Sequence, residues 1–191
     1  MQNELHQIHN AISSYIDISE EEWNDYSKKF NVKSFQRNEL ILRSGEICKN
    51  VFFINSGILR VFFTDSNGYE QTFHFAIENT FVTDYESFLN KTKSTYSIQA
   101  LENSETVVMS FNMLHEGYTN LKNGEKLGRK LAEEYFFLFS NKIKSLYTMA
   151  PLERYQKMNV VFPGILQRVP QHYIASYLNI TPVHLSRLKS T

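Results

Sequence analysis

The sequence predicts an α+β protein with a β-roll of the jelly-roll type, a long helix and a C-terminal helix-turn-helix. Short β-branched and aromatic runs recur across residues 32–110, and turn sequences separate them. An apolar repeat of helical period covers residues 121–147, and residues 169–189 carry the pattern of two short helices. Many short strands followed by several helices are typical of an α+β fold that contains a sandwich, barrel or roll.

Two helices are expected before the strands. Ile8, Ile12 and Ile16 recur at helical spacing within residues 4–30, which indicates one buried helical stripe. The Ser19 hydroxyl can cap a second, shorter helix, whose first three residues are glutamates suited to a helix N-terminus.

The strand pattern then continues to residue 110. The predicted strands are 33–35, 39–42, 51–55, 58–64, 69–76 and 95–110. Asn67-Gly68 lies between two of them and predicts a hairpin, because both residues tolerate a positive φ.

The helix over 121–147 has two adjacent apolar faces. One face, the predicted dimer seam, follows 4-3-4-3 spacing through Ala132, Phe136, Phe139, Ile143 and Leu146. The second consists of Leu127, Leu131, Tyr135 and Leu138. Such a helix needs two partners, and we expect the β domain on one side and a second copy of the helix, in a homodimer, on the other. The alternative is a helix buried within one subunit.

Residues 169–189 predict the helix-turn-helix. Ile174 and Leu178 lie one turn apart and form the buried stripe of its first helix. Asn179 occupies the turn, and asparagine tolerates left-handed backbone geometry well.

The second helix is expected to begin after Thr181. Threonine is a good N-cap, and Pro182 suits the first helical position. Leu185 and Leu188 then complete the core. The residues left on the surface are Pro182, Val183, Ser186, Arg187 and Ser190.

This second helix has the composition of a recognition helix that enters the major groove of DNA. Arg187 can donate two hydrogen bonds to guanine, and Val183 or the Pro182 ring can contact a thymine methyl group. Predicted phosphate contacts come from Thr181, Ser186, His172 and Lys189. The alternative is an ordinary helical hairpin with a solvated basic face.

The charge distribution favours a polyanion at the C-terminal end. The net charge is zero, but residues 141–191 carry seven Lys or Arg and one acid, or +6. The other 140 residues carry 13 basic and 19 acidic groups, or −6. A basic end on an acidic body suits a protein that binds nucleic acid through that end.

Several classes of protein are excluded by what the sequence lacks. Cys48 is the only cysteine, so an internal disulfide, a cysteine-ligated iron–sulfur cluster and a Cys-x-x-Cys zinc site are excluded. There is no membrane-spanning run and no signal peptide, which predicts a cytoplasmic protein. No catalytic signature is present, so we expect neither an enzyme nor a bound metal or cofactor.

Three segments resemble the cyclic AMP receptor protein / fumarate-nitrate regulator (Crp/Fnr) superfamily, and in particular its short Bacteroidetes-like members. They are Gly45-Glu46-x4-Val51-Phe52-Phe53-Ile54-x2-Gly57-x2-Arg60, Ala100-Leu101-Glu102-x2-Glu105 and Leu166-Gln167-Arg168-Val169-Pro170. The resemblance implies a cyclic-nucleotide-binding-like sensor domain (1–118), a dimerisation helix (119–150) and a helix-turn-helix DNA-binding domain (151–191). It also implies a homodimer that binds a palindromic double-stranded DNA operator and works with RNA polymerase.

The sequence departs from the cyclic AMP-binding members at the phosphate cassette. Alignment places Thr83-Asp84 where those members have Gly-Glu, and Ser94-Thr95 where they have Arg followed by Ser or Thr. Asp84 can still accept a bond from a ribose hydroxyl, but Ser94 cannot neutralise a phosphate. We therefore expect an effector other than cyclic AMP, an unknown small molecule, or none.

Two further features of the Crp/Fnr superfamily, a haem ligand and a C-terminal wing, need separate consideration in this sequence. His74 is available as a haem ligand, but we interpret it as a hydrogen-bonded or surface strand residue. The β-hairpin wing that usually follows the recognition helix is not seen before Thr191, so we expect either a short or missing wing or a truncated chain.

Two other functions compete with the DNA-binding regulator. One is a ligand-binding sensor or adaptor with a vestigial DNA-binding domain. The other is a cupin-type β-barrel enzyme, which needs a His-x-His metal shell, whereas His74 stands alone in its strand.

Overall fold

A computed structural model describes residues 5–189. Its helices are α1 His6–Tyr15, α2 Glu20–Ser27, α3 Tyr85–Asn90, α4 Phe111–Asn120, α5 Gly124–Thr148, α6 Pro151–Val161, α7 Ile165–Arg168, α8 Gln171–Tyr177 and α9 Pro182–Leu188. Its strands are β1 Asn31–Phe35, β2 Leu40–Leu42, β3 Asn50–Ser56, β4 Leu59–Thr64, β5 Glu70–Ala76, β6 Phe81–Val82, β7 Ser97–Ala100 and β8 Ser104–Ser110. The predicted α+β class is confirmed: two helices precede a region of eight strands, and six more helices follow the last strand within the described residues.

The strands form two antiparallel sheets of four strands each. The order is β1-β8-β3-β6 in the first sheet and β2-β7-β4-β5 in the second. Apolar side chains from both sheets meet between them, and Phe53, Ile54, Leu59, Ile98 and Val107 are completely buried there. The β domain is therefore jelly-roll-like, as the strand pattern predicts.

The N-terminal helices cover this core as expected. Ile8, Ile12 and Ile16 are buried against it. Ser19 caps α2: its hydroxyl accepts from the Glu22 amide, and the Glu22 carboxylate accepts from the Ser19 amide in return.

Several details differ from the sequence prediction, which also did not include the short elements α3, β6 and α7. The predicted strand 95–110 is two strands, β7 and β8, separated by residues 101–103. Helix α4 was not predicted; Ser110 ends β8 and caps α4 by accepting from the Met113 amide. In the β4–β5 hairpin only Gly68 takes a positive φ, because the Asp65 carboxylate holds the loop by accepting from the Asn67 and Tyr69 amides.

Helix α5 packs against the β domain along its second predicted face. Leu127, Leu131 and Tyr135 pack on the core of the β domain, and the Tyr135 hydroxyl accepts from the Phe81 amide at 3.0 Å. Within residues 5–189 no helix is both long and apolar enough to cross a membrane.

Helices α6–α9 form a C-terminal helical unit around a second apolar cluster. Met158, Phe162, Ile165, Ile174 and Leu185 are buried in it. The β domain contributes to the same cluster through Ile58, Phe75 and Leu101. The helical unit is thus packed directly on the second sheet.

We expect Gly57→Ala to destabilise the fold by about 2–5 kcal/mol, because it combines backbone strain with overpacking. Gly57 has φ +99°, and an added Cβ would lie 2.7 Å from the Ser104 Cα. Gly68→Ala is the matched control: its φ is +84°, but nothing lies within 4 Å of the added Cβ. Urea unfolding should show a loss of only about 1–2 kcal/mol for the control. Equal losses for the two variants would contradict the predicted clash.

Candidate nucleic-acid interface and effector cavity

Helix α9 is anchored by one face and exposes the other. Asn179 takes φ +53° in the turn before it, and the Thr181 hydroxyl caps it by accepting from the His184 amide at 3.1 Å. Leu185 is buried in the C-terminal cluster, while Ile180 packs against that cluster from the turn. These local features agree with those expected from residues 169–189, except that Leu188, expected in the core, is only half-buried.

The predicted DNA contacts all lie on the surface. Val183 is 63% exposed, and Pro182, Ser186 and Arg187 are exposed on the same helix. The predicted phosphate contacts Thr181, His172 and Lys189 are also exposed. Ser190 lies outside the described residues.

The basic excess of the C-terminal quarter is only partly available to a ligand. Arg154 donates to the carbonyl oxygens of Met149 and Leu178, and Arg168 forms ion pairs within the chain. Lys142 is half-buried, and its ammonium donates to the Phe73 carbonyl. Exposed cations of this quarter are Lys144, Lys157, Arg187 and Lys189. The +6 charge of the sequence therefore overstates the positive field at the surface.

Arg168 joins the C-terminal unit to the β domain. Its guanidinium makes two hydrogen bonds to Glu78, at 2.6 and 3.0 Å, and pairs with Glu102 as well. Glu78 also accepts from the Gly57 amide at 3.0 Å. The two carboxylates raise the pKa of Arg168, so this cation is held in its charged form.

A second polar contact fixes α8 on strand β5. The Ser176 hydroxyl accepts from the Thr72 amide at 2.8 Å. Arg60 is fully buried beside it, donating to Thr72 at 2.9 Å and to Glu70 at 2.6 Å. The Arg60 guanidinium also lies 3.8 Å from the ring centroid of Tyr173 in α8.

The predicted dimer seam is divided between two environments. Phe136 is 68% exposed and Ile143 is 53% exposed, and Ala132 is exposed on the same side of α5. Leu146 is half-buried. Phe139 is half-buried within its own chain, where its ring stacks on Phe73 with centroids 4.9 Å apart.

The aligned phosphate-cassette residues are bonded to one another and to the backbone. Asp84 caps α3 by accepting from the Ser87 amide, and its other oxygen accepts from the Ser94 hydroxyl at 2.6 Å. Thr83 donates to the Asn50 carbonyl. Thr95 is exposed. The structure therefore brings Asp84 and Ser94 together, while Thr83 and Thr95 lie apart from that pair.

A cavity of about 430 Å³ lies between the β domain, α4 and α5. Thr83 and Asp84 line one part of it, but Ser94 and Thr95 do not. Most of its wall is aromatic or aliphatic, and among the described residues no lysine or arginine lines it. The aromatic part of the wall includes Phe73, Phe81, Tyr96, Tyr135 and Phe139.

His74 lines this cavity and corrects the sequence interpretation. It is buried, and its Nδ1 has no hydrogen-bond partner among the described residues, so it is neither a surface residue nor fully hydrogen-bonded. The cause is an irregularity in β5. Val61 pairs with His74 but Phe62 pairs with Thr72, so Phe73 is an extra residue and both Phe73 and His74 reach the cavity.

The sequence pattern did not reveal these residues. A strand alternates its side chains between two faces, and only pairing with β4 shows that β5 breaks the alternation. Within residues 5–189 no group of three or more His, Cys, Asp or Glu is placed to hold a metal ion.

Comparison with known proteins identifies the β domain. Residues 32–118 match the family model "Cyclic nucleotide-binding domain". No curated protein is significantly similar to the chain in sequence.

The whole chain has the fold of Crp/Fnr regulators, which confirms the resemblance at the level of architecture. FixK2 from Bradyrhizobium japonicum is 15% identical with a TM-score of 0.70, covering 84% of this chain and 83% of that one. A Crp/Fnr-family protein from Eubacterium rectale is 14% identical with a TM-score of 0.68, covering 87% and 83%. The Thermus thermophilus catabolite activator protein is 15% identical with a TM-score of 0.59, covering 94% and 85%.

Lys142 lies where the β domain, α5 and α8 meet. Its ammonium donates to the Phe73 carbonyl and lies 4.1 Å from the ring centroid of Tyr177. Burial lowers the pKa of Lys142 to about 7. Burial, and then the nearby charge of Lys142, lowers the pKa of His74 to about 3.

We expect the free energy of unfolding to increase with pH between about 7.5 and 8.5, below the range where the buried tyrosines act in the opposite direction, because of Lys142. Its pKa is about 7 in the folded chain, against an ordinary value of 10.5, so the unfolded chain binds more protons in this range. The slope from this one group is at most about 1.4 kcal/mol per pH unit. His74 contributes only at lower pH, since its pKa falls from 6.5 to about 3.

Urea unfolding across this pH range tests the assignment. Lys142→Met keeps the apolar stem and should flatten the slope. Lys126→Met, at an exposed position of the same helix, should retain it. A slope that is unchanged in Lys142→Met would show that another group causes it.

Proposed function

We propose that the chain is a sequence-specific DNA-binding transcription regulator of the Crp/Fnr type, active as a cytoplasmic homodimer and without enzymatic activity. The observation that carries the proposal is the exposed face of α9, with Arg187, Val183 and Ser186 outward and Leu185 anchored inward. The helix is the second of a tight pair, and such a helix presents its N-terminal half to base edges in the major groove.

The side chains of this face suit base recognition. Arg187 provides a fork of donors for guanine, and Val183 provides an apolar surface for a thymine methyl group. Thr181, His172 and Lys189 surround that face and are available for phosphate contacts that set the register. Because only part of the basic excess is on the surface, specificity would rest on these contacts more than on a broad positive field.

The exposed face of α5 supports a homodimer. Phe136, Ile143 and Tyr147 are 68%, 53% and 86% exposed, and they recur at intervals of seven and four residues along one side of the helix. Two copies of α5 packed through this stripe would bury it and would relate the two α9 helices by a two-fold axis. A palindromic operator matches that symmetry, and RNA polymerase is the further partner we expect.

The DNA-binding proposal is tested by selecting bound duplexes from a random pool. We expect a palindromic consensus, and we expect Arg187→Ala to lose preference at one base pair in each half-site. The loss of discrimination there should be about 1–3 kcal/mol, the contribution of a good bidentate contact. Arg37→Ala, at an exposed arginine between β1 and β2, is the matched control and should keep the full preference.

The competing function gives a different result in the same experiment. A sensor or adaptor with a vestigial DNA-binding domain would bind random and selected duplexes equally, with a shallow dependence on salt. That outcome would refute the proposed function. Unchanged preference in Arg187→Ala, with a consensus still present, would instead refute the role of Arg187.

The dimer is tested by introducing a charge into the exposed stripe of α5. Ile143→Glu should yield monomers in sedimentation velocity and weaken binding to a palindromic duplex, because a buried carboxylate lacks a partner. Ile47→Glu is the control, since Ile47 is 42% exposed and belongs to a β-bridge with Lys93 instead of to α5. An unchanged mass for Ile143→Glu would place the interface elsewhere.

A further inference from the structure

We infer that the cavity between the β domain, α4 and α5 binds an uncharged, largely aromatic small molecule that carries one hydrogen-bonding group, and does not bind a cyclic nucleotide. The inference names a ligand class for this chain, and it rests on the proposed function only in treating that ligand as an effector. The cavity volume of about 430 Å³ is within the range of small-molecule sites.

The charges around the cavity disfavour an anion. Asp84 and Glu86 line it, whereas no lysine or arginine of the described residues does. Lys91 and Lys93 are both exposed, and the Lys91 ammonium lies 4.5 Å from the ring centroid of Phe111. A phosphate in the cavity would lose its hydration, gain no cation and lie near carboxylates.

Asp84 and Ser94, the two aligned phosphate-cassette residues that lie together, already use their polar atoms in hydrogen bonds within the protein. Both oxygens of Asp84 accept hydrogen bonds, one from Ser87 and one from Ser94. The Ser94 hydroxyl is committed to Asp84 and accepts in turn from the Tyr96 amide. A ribose or phosphate would have to break this buried arrangement without a charged group to replace it.

The remaining wall suits an aromatic ligand. Phe73, Tyr96 and Phe139 form a connected group, with Phe73 4.9 Å from Phe139 and 5.1 Å from Tyr96 between ring centroids. Aromatic surfaces of this kind favour offset-stacked and edge-to-face contacts with flat apolar rings.

His74 is the reason why the ligand is expected to carry one hydrogen-bonding group. Its ring lies between those of Tyr135, Phe139 and Phe162, at centroid distances of 6.4, 5.3 and 5.6 Å. A neutral imidazole has one donor and one acceptor, and in this chain Nδ1 is buried without a partner among the described residues. A ligand with one hydroxyl, amine or carbonyl group could form a hydrogen bond with the His74 ring. An entirely apolar ligand could not.

Two dyes that differ by one charged group test the ligand class. Phenyl-naphthylamine is uncharged and has one N–H donor, and anilinonaphthalene sulfonate has the same rings with a sulfonate added. Fluorescence titration of the intact chain should give one site per chain for the uncharged dye, and affinity at that site at least about 30-fold weaker for the sulfonate. Calorimetry should detect no binding of cyclic AMP.

Variants establish that the dye occupies this cavity. Leu114→Trp extends a half-buried lining residue into the space and should weaken the uncharged dye on the order of tenfold or more. Leu89→Trp is the same change at a leucine that is 38% exposed and outside the lining, and it should have no effect. His74→Phe should weaken the dye about 3- to 10-fold through loss of one hydrogen bond.

The proposal is overturned if the uncharged dye does not bind, if Leu114→Trp and Leu89→Trp behave alike, or if the sulfonate or cyclic AMP binds the same site as tightly. DNA selection tests the proposed function separately. A dye site with the expected profile in a chain that selects no DNA would leave the ligand class standing and refute the regulator.

Discussion

The irregularity in strand β5 is the feature on which the arrangement of the molecule depends. Because Val61 pairs with His74 and Phe62 with Thr72, Phe73 and His74 both turn toward the cavity and α5. The residues on either side of them, Thr72 and Phe75, turn toward the C-terminal unit. β5 is also the last strand of its sheet, so its outer edge would otherwise be open. Ser176 accepts from the Thr72 amide and Lys142 donates to the Phe73 carbonyl, and both contacts cover that edge.

Three segments that lie far apart in the sequence meet where the C-terminal unit joins the β domain. Gly57, Glu102 and Arg168 come from three different segments, yet they meet around Glu78 in one ion-pair cluster. An exposed ion pair contributes little to the free energy of folding. An arginine that bonds two partly buried carboxylates, one of them through two hydrogen bonds, fixes both the distance and the relative orientation of the segments that carry them. The cluster therefore sets how the C-terminal unit lies on the β domain, in addition to the apolar packing beneath it.

The sequence predicted those parts of the structure that depend on local chemistry. Asn179, Thr181 and Leu185 each meet a requirement of one turn or one helix, so their roles follow from residue type and spacing. His74 and Phe139 could not be placed in the same way, because their surroundings depend on strand pairing and on how α5 lies across β5. The charge asymmetry of the sequence overestimated the basic surface of the C-terminal quarter. Arg168 pairs with Glu78 and Lys142 donates to the Phe73 carbonyl, and residue spacing does not reveal these partners.

These contacts also determine how an occupant of the cavity would affect the proposed DNA binding. Phe139 and Tyr135 of α5 line the cavity together with His74, and α5 carries the exposed stripe that supports the dimer. Lys142, one turn beyond Phe139, reaches both Phe73 and Tyr177 of α8. A ligand that moves the Phe73–Phe139 pair would therefore act on α5 and on the edge contacts of α8 at once. It can shift the balance between two arrangements only by the difference in its affinity for them. By the same linkage, DNA held by two α9 helices would change the affinity of the cavity by an equal factor.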